Sequence, residues 1–166
     1  MLVLLFVATV LFGVSCRSKK QATEKPVKNK EITALSKKLN LELTKKDNIK
    51  LYQFVADWLG TPHKLGACQK SAIDCSCFVA LLYEQVYNKK LPRTAAEMDK
   101  QSKHVRKSNL EEGDLVFFKI KSSKVSHVGV YLKDGWFAHV SNSRGVMINN
   151  LEEAYYDRYY VGGGSL

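Results

Sequence analysis

Apolar positions recur along this chain with two different spacings. Up to about residue 103 they fall three and four apart, and beyond Asn109 they alternate. The first spacing lays side chains on one face of a helix, the second on one face of a strand. Ile32, Leu35, Leu39 and Leu43 predict a weak amphipathic helix over 31–46. Leu51, Phe54, Val55, Trp58 and Leu59 predict a stronger one, capped by Asp47 and stopped at Gly60, Thr61 and Pro62. Residues 63–73 carry no core pattern and read as a loop. A third helix is predicted over 75–87, with Phe78, Val79, Leu82 and Val86 inward. Thr94 and Glu97 fit a capping box that opens a short helix to about Lys103.

Strands are predicted over 114–118, after a turn at Gly113, and over 125–132, 136–140, 146–148 and 159–161. Helices first and strands afterwards give an α+β domain with an antiparallel sheet. There is no internal repeat and no sign of a second folded domain.

The start of the chain reads differently. Residues 2–14 are apolar apart from Thr9 and Gly13, too short a run to span a bilayer but suited to the core of a signal peptide. Phe12-Gly13-Val14-Ser15-Cys16 resembles a bacterial lipoprotein signal, in which the cysteine becomes the lipidated first residue. Ordinary cleavage with Cys16 incidental, or a buried apolar strand, are the alternatives. The division is therefore 1–16 signal peptide, 17–46 basic linker with the weak helix, and 47–166 folded domain. The net charge is +10, yet residues 17–50 alone carry +7. Basicity confined to a segment after an apolar start suits a tether near an anionic membrane surface. It does not suggest nucleic acid. The expectation is an exported, membrane-anchored and monomeric protein facing the periplasm.

One constellation carries chemistry. Cys75 stands at the start of the third helix, where free backbone amides favour a thiolate. Asp74, just before it, is placed to cap that helix. His127 and His139 stand on successive strands. A two-residue turn at Asp134-Gly135 would put the two imidazoles on opposite faces of the sheet. A three-residue loop, Lys133-Asp134-Gly135, puts Gly135 in a left-handed position, pairs Gly129 with His139, and sets the histidines diagonally on one face, about 7 Å apart or less. With that loop His127 takes the thiol proton and His139 orients His127. A neutral orienting residue suffices if the Cys–His pair already exists as an ion pair.

These residues resemble the NlpC family of papain-like bacterial cell-wall peptidases. The matching segments are Leu59-Gly60-Thr61-Pro62, Ile73-Asp74-Cys75-Ser76, Leu91-Pro92-Arg93-Thr94, residues 112–118, His127-Val128-Gly129-Val130-Tyr131 and Phe137-Ala138-His139. The resemblance covers residues 47–163 and implies a papain-like fold. It implies Cys75 as nucleophile, His127 as general base and His139 as the orienting third residue. The substrate it implies is the amide bonds of peptidoglycan stem peptides, with no metal or organic cofactor. His63 stands where the family has a tyrosine that borders the nucleophile, and is read as an oxyanion donor. Ser76 and Arg93 are read at the substrate groove, Arg93 toward a stem-peptide carboxylate or else as a solvated charge. Ala67 replaces a usual glycine, and Cys77 a usual Gly or Ala. Cys77 is read first as a plain buried residue, with a Cys68–Cys77 disulfide as the alternative that leaves Cys75 free. Two other functions fit the same features. One is a non-catalytic wall-binding module; the other is a Cys–His amidase or acyltransferase acting on another substrate.

Overall fold

The computed structural model describes residues 29–166. The expected signal peptide, Cys16 and the first part of the basic linker lie outside the described residues. Within them the helix-then-strand order is the observed one, and the class is α+β. Helix α1 spans Asn29–Leu39 and α2 spans Ile49–Trp58. Helix α3 spans Cys75–Tyr87 and α4 spans Ala95–Gln101.

The boundaries differ from the periodicity in ways that have local causes. Helix α1 stops at Leu39 because Asn40 takes a left-handed conformation, φ 53°, and the Leu41 amide closes onto the Ser36 carbonyl. Leu43 keeps its buried position from the turn that follows. The cap of α2 is Asn48, whose side chain accepts from the Leu51 amide, rather than Asp47. Asp47 is taken up elsewhere: it accepts from Thr44 and lies 3.0 Å from the Lys133 ammonium. Thr94 caps α4 as the box predicts, accepting from the Glu97 amide and donating to the Glu97 carboxylate. That helix ends before Lys103 because residue 102 turns to extended backbone and leads into a strand.

Residues 63–73 are not wholly irregular, since β1 (Cys68–Gln69) and β2 (Ala72–Ile73) form a small hairpin there. The main sheet holds β3 (Lys103–Val105), β4 (Leu115–Phe118), β5 (His127–Tyr131), β6 (Trp136–Ser141), β7 (Gly145–Asn150) and β8 (Tyr160–Ser165). All pairings are antiparallel, in the order β3-β8-β4-β5-β6-β7. Short β3 and the helix α5 (Ala154–Tyr159) are additions that no periodic signal announced.

Alternation gives the sheet two distinct faces. Leu115, Phe117, Val128, Val130, Ala138 and Val140 pack against the helices, α3 above all, in the main core. Val116, Phe118, Phe137, Leu151 and Tyr156 form a second, smaller core on the opposite face, where α5 lies. Among the described residues no helix is long and apolar enough to cross a membrane.

Candidate active site

Asp74 organises the head of α3. Its carboxylate accepts from the Cys77 amide at 2.8 Å, from the Ser76 hydroxyl at 3.0 Å and from the Gly66 amide at 2.9 Å. Arg93 closes the cluster with a two-nitrogen contact at 2.9 and 2.6 Å. Burial works against this carboxylate, but Arg93 and the helix amide outweigh it and hold its pKa below the ordinary value. A buried cap of this kind fixes where the first turn begins, and with it the direction of the Cys75 side chain.

Ser76 and Arg93 are therefore engaged within the protein. The Ser76 hydroxyl donates to Asp74 and accepts from Arg93 at 2.8 Å, and both guanidinium nitrogens are on Asp74 or Ser76. Both residues still line the groove above Cys75, and the Arg93 side chain is 46% exposed. The geometry departs here from a guanidinium held ready for a substrate carboxylate, because the Asp74 partner lies within the same wall.

Cys77 is not a plain buried residue. It forms a disulfide with Cys68, the alternative pairing, and Cys75 stays free. The bond ties the exposed hairpin strand β1 to the first turn of α3. It leaves the nucleophile candidate between two fixed points, the Asp74 cap and the Cys77 bridge.

The second half of the site comes from the sheet. The connection from β5 to β6 is the three-residue loop: the Leu132 amide donates to the Trp136 carbonyl at 2.8 Å, and Gly135 is left-handed at φ 81°. Gly129 then pairs with His139. A Cβ at Gly129 would come within 2.8 Å of the Ala138 carbonyl and 3.2 Å of the His139 Cβ, so only glycine leaves the space between the histidines. The two imidazoles meet edge to face, with His127 Nε2 3.0 Å from His139 Nδ1.

His127 is the first residue of β5, at the end of the sheet that α3 also reaches. Cys75, His127 and His63 line one open groove of about 640 Å³, with Leu65 on its rim. The segment that leads into β5 borders the same groove, with Val125, Ser126 and His127 in its wall. His63 enters the groove wall through a bridge to Ile73. A second hollow of about 440 Å³ joins the first around Ser126, His127 and Asn142 and carries Arg144.

Burial sets the charge state. It lowers the His127 pKa to about 3, assisted by repulsion from His139 and His63. It lowers His139 to about 4, against the hydrogen bond to Asn149. Burial also raises the Cys75 thiol, outweighing the amides of Val128, Ser76 and Cys75 itself. Taken singly, each shift favours the neutral form, a thiol at Cys75 and an unprotonated imidazole at His127. Such a pair reacts by moving the thiol proton to the ring as the sulfur attacks.

Three further polar residues extend the row. His139 Nε2 lies 3.0 Å from Asn149 Oδ1 and 3.1 Å from the Tyr156 hydroxyl. Asn149 Nδ2 donates to both Glu153 oxygens at 2.9 and 2.8 Å. Sequence reasoning missed all three. The same register logic reaches Asn149: His139 pairs with Met147, so Asn149 sits diagonally beside it on the same face.

A model of the NlpC/P60 family matches residues 60–165, more than half of the chain. The chain belongs to the NlpC/P60 family. The matched span starts at the turn closing α2 and ends in β8, so it includes Cys75, His127 and His139. An Escherichia coli relative, murein DD-endopeptidase MepS/murein LD-carboxypeptidase, is 40% identical over 105 residues, which is 63% of this chain and 55% of that protein. The chain thus spans about half the length of the curated relatives it matches. Among solved structures, an NlpC/P60 family protein from Bacillus cereus superposes with a TM-score of 0.64 at 28% identity, covering 70% of this chain and 39% of the other. RipD from Mycobacterium tuberculosis, described as a non-catalytic NlpC/P60 domain protein adapted to peptidoglycan binding, superposes at 0.57 with 17% identity, over 70% of this chain and 94% of the other. That second likeness is one of NlpC/P60 fold alone.

Proposed function

We propose that this chain is an exported cysteine endopeptidase that hydrolyses amide bonds in peptidoglycan stem peptides. Cys75 is its nucleophile, His127 its general base and acid, and His139 the residue that orients His127. The observation that carries the reading is the pairing of His127 Nε2 with His139 Nδ1 at 3.0 Å beside a groove that also holds a free Cys75. The 40% identity to a murein endopeptidase supports the substrate class.

With Nε2 of His127 occupied by His139, Nδ1 is the nitrogen left for the thiol. His127 takes the proton as the sulfur attacks the scissile carbonyl, giving a tetrahedral oxyanion. The Cys75 amide at the helix start, with the His63 ring across the groove, is the donor set for that oxygen. His127 then returns the proton to the leaving amine, and water, deprotonated by the same ring, releases the acyl group from the sulfur. A lipid on Cys16 would hold the enzyme at a membrane surface, with the basic linker beside anionic headgroups.

Incubation of the purified chain with muropeptides, with products separated by mass spectrometry, tests the proposal. New peptide termini are expected with the native chain and none with Cys75→Ala. Equal cleavage by both, or no cleavage by the native chain, would refute it. The alternative is a binding module on the same fold, the role for which the structurally similar RipD is described. Retention of the native chain on sacculi without any new termini would select that reading.

A further inference from the structure

The three polar residues behind the histidine pair form a directional chain. None of them lines the groove that holds Cys75. Yet their hydrogen-bonding capacities, taken in order, leave only one arrangement of protons. We propose that Glu153, acting through Asn149, is a positioning residue that dictates which ring nitrogens of His139 and His127 carry hydrogen. The inference rests on the assignment of Cys75, His127 and His139 given above.

A carboxylate only accepts hydrogen bonds. Both Glu153 oxygens face Asn149 Nδ2, at 2.9 and 2.8 Å, so the amide nitrogen is pinned toward Glu153 and the amide oxygen toward His139. An amide oxygen also only accepts, so His139 Nε2 carries a proton. A neutral imidazole has one N–H, which makes His139 Nδ1 an acceptor. His127 Nε2, 3.0 Å away, is therefore the protonated nitrogen of its ring. The lone pair of His127 is left on Nδ1, where the thiol proton must go. Tyr156 agrees with this direction: its hydroxyl lies 3.1 Å from Asn149 Oδ1 and 3.1 Å from His139 Nε2, donating to the first and accepting from the second. Glu153 is itself held at the head of α5, where it accepts from the Asn150 amide at 2.8 Å.

Reversing the row would need a flipped Asn149, with its oxygen against both carboxylate oxygens. The negative charge of Glu153 forbids that. In the reversed row His127 would present Nδ1–H to the thiol and could not accept its proton. A triad imidazole in the wrong tautomer loses orders of magnitude in rate.

The test is the histidine tautomer in the 15N-labelled full chain, read by long-range 1H–15N correlation at neutral pH, together with muropeptide turnover. In the native chain His127 is expected with its proton on Nε2. Glu153→Gln offers both a donor and an acceptor to Asn149, so the Nδ1–H form of His127 should appear and kcat should fall by about tenfold or more, with KM within about twofold. Adding Asn149→Asp to Glu153→Gln puts an acceptor-only group beside His139 and should restore both the tautomer and most of kcat. A native His127 protonated on Nδ1 would overturn the inference. So would a Glu153→Gln chain that loses turnover with its tautomer unchanged. The tautomer readout needs no activity, so a chain that cleaves nothing would refute the proposed function while leaving this assignment to be decided by the spectrum.

Discussion

Acid should weaken this fold well before its carboxylates titrate. His127 and His139 are buried, at 7% and 1% exposure, and each gains a proton on unfolding. His127 has a folded pKa of about 3 against 6.5 in a free chain. Between those values the unfolded state binds more protons, so stability is complete above pH 6.5 and falls as the pH drops toward 3. At pH 4.5 the loss is about 2–3 kcal/mol for each histidine, with folded values of about 3 for His127 and about 4 for His139. Together they remove up to about 5 kcal/mol, a large part of the 5–15 kcal/mol typical of a domain. Asp47 and Asp74, both held below 3.8, lose their contributions mainly below that value, outside the range of pH 7 to 4.5. Asp114, raised above 3.8, opposes the trend slightly. Urea unfolding followed by the fluorescence of Trp58 and Trp136 at pH 7, 6, 5 and 4.5 measures the effect. Near pH 5 the slope should approach about 2.7 kcal/mol per pH unit, the value for two protons. A His127→Gln/His139→Gln chain should lose that slope. A native chain equally stable at pH 6.5 and 5, or a double variant with the native slope, would refute the reasoning.

Other outcomes follow from the same geometry. Asp74→Ala removes the cap of α3 and leaves Arg93 without its partner, which should cost about 2–4 kcal/mol in chemical denaturation and sharply reduce muropeptide cleavage. Cys68→Ser with Cys77→Ala opens a loop of sequence separation 9 and should lower unfolding free energy by roughly 2–3 kcal/mol, without adding a reactive thiol. Gly129→Ala should cost about 1–3 kcal/mol, because its methyl meets the Ala138 carbonyl, and should cut activity further by spreading the histidines; a melting temperature and turnover equal to native would contradict this.

Much of the fold was legible because its long elements are periodic. Helix α3 and the strands β4 to β7 follow directly from the spacing of Phe78, Val79 and Leu82 and from alternation after Asn109. The loop at Lys133 to Gly135 was legible as a condition: if it has three residues, the histidines share a face. What escaped was decided by distant partners. Asp47 lost its capping role to Asn48 because Lys133, far along the chain, approaches its carboxylate. Arg93 reads as a free surface cation until Asp74 is seen beneath it. Cys77 and Cys68 come together because the small hairpin folds back on α3, with Cα atoms 5.5 Å apart, and nothing in local spacing marks that hairpin. Burial has no local signature either, which is why helix-terminal amides alone suggested a thiolate where partial burial raises the thiol pKa.

The backbone bonds between the end of α2 and β7 have a consequence for association. β7 is the last strand of its sheet, and such a strand offers unpaired amides to any passing chain. Here the Gly60 amide donates to the Val146 carbonyl at 2.8 Å, and the Val146 amide donates to the Thr61 carbonyl at 2.9 Å. The outward groups of Val146 are consumed, and the glycine at 145 lets the Thr61 backbone lie against the strand where any side chain would collide. At the other margin β3 has only three residues, with Lys103 and His104 exposed. One margin is tied down at Val146 and the other is short and carries a charge, and both features work against edge-to-edge pairing of two copies.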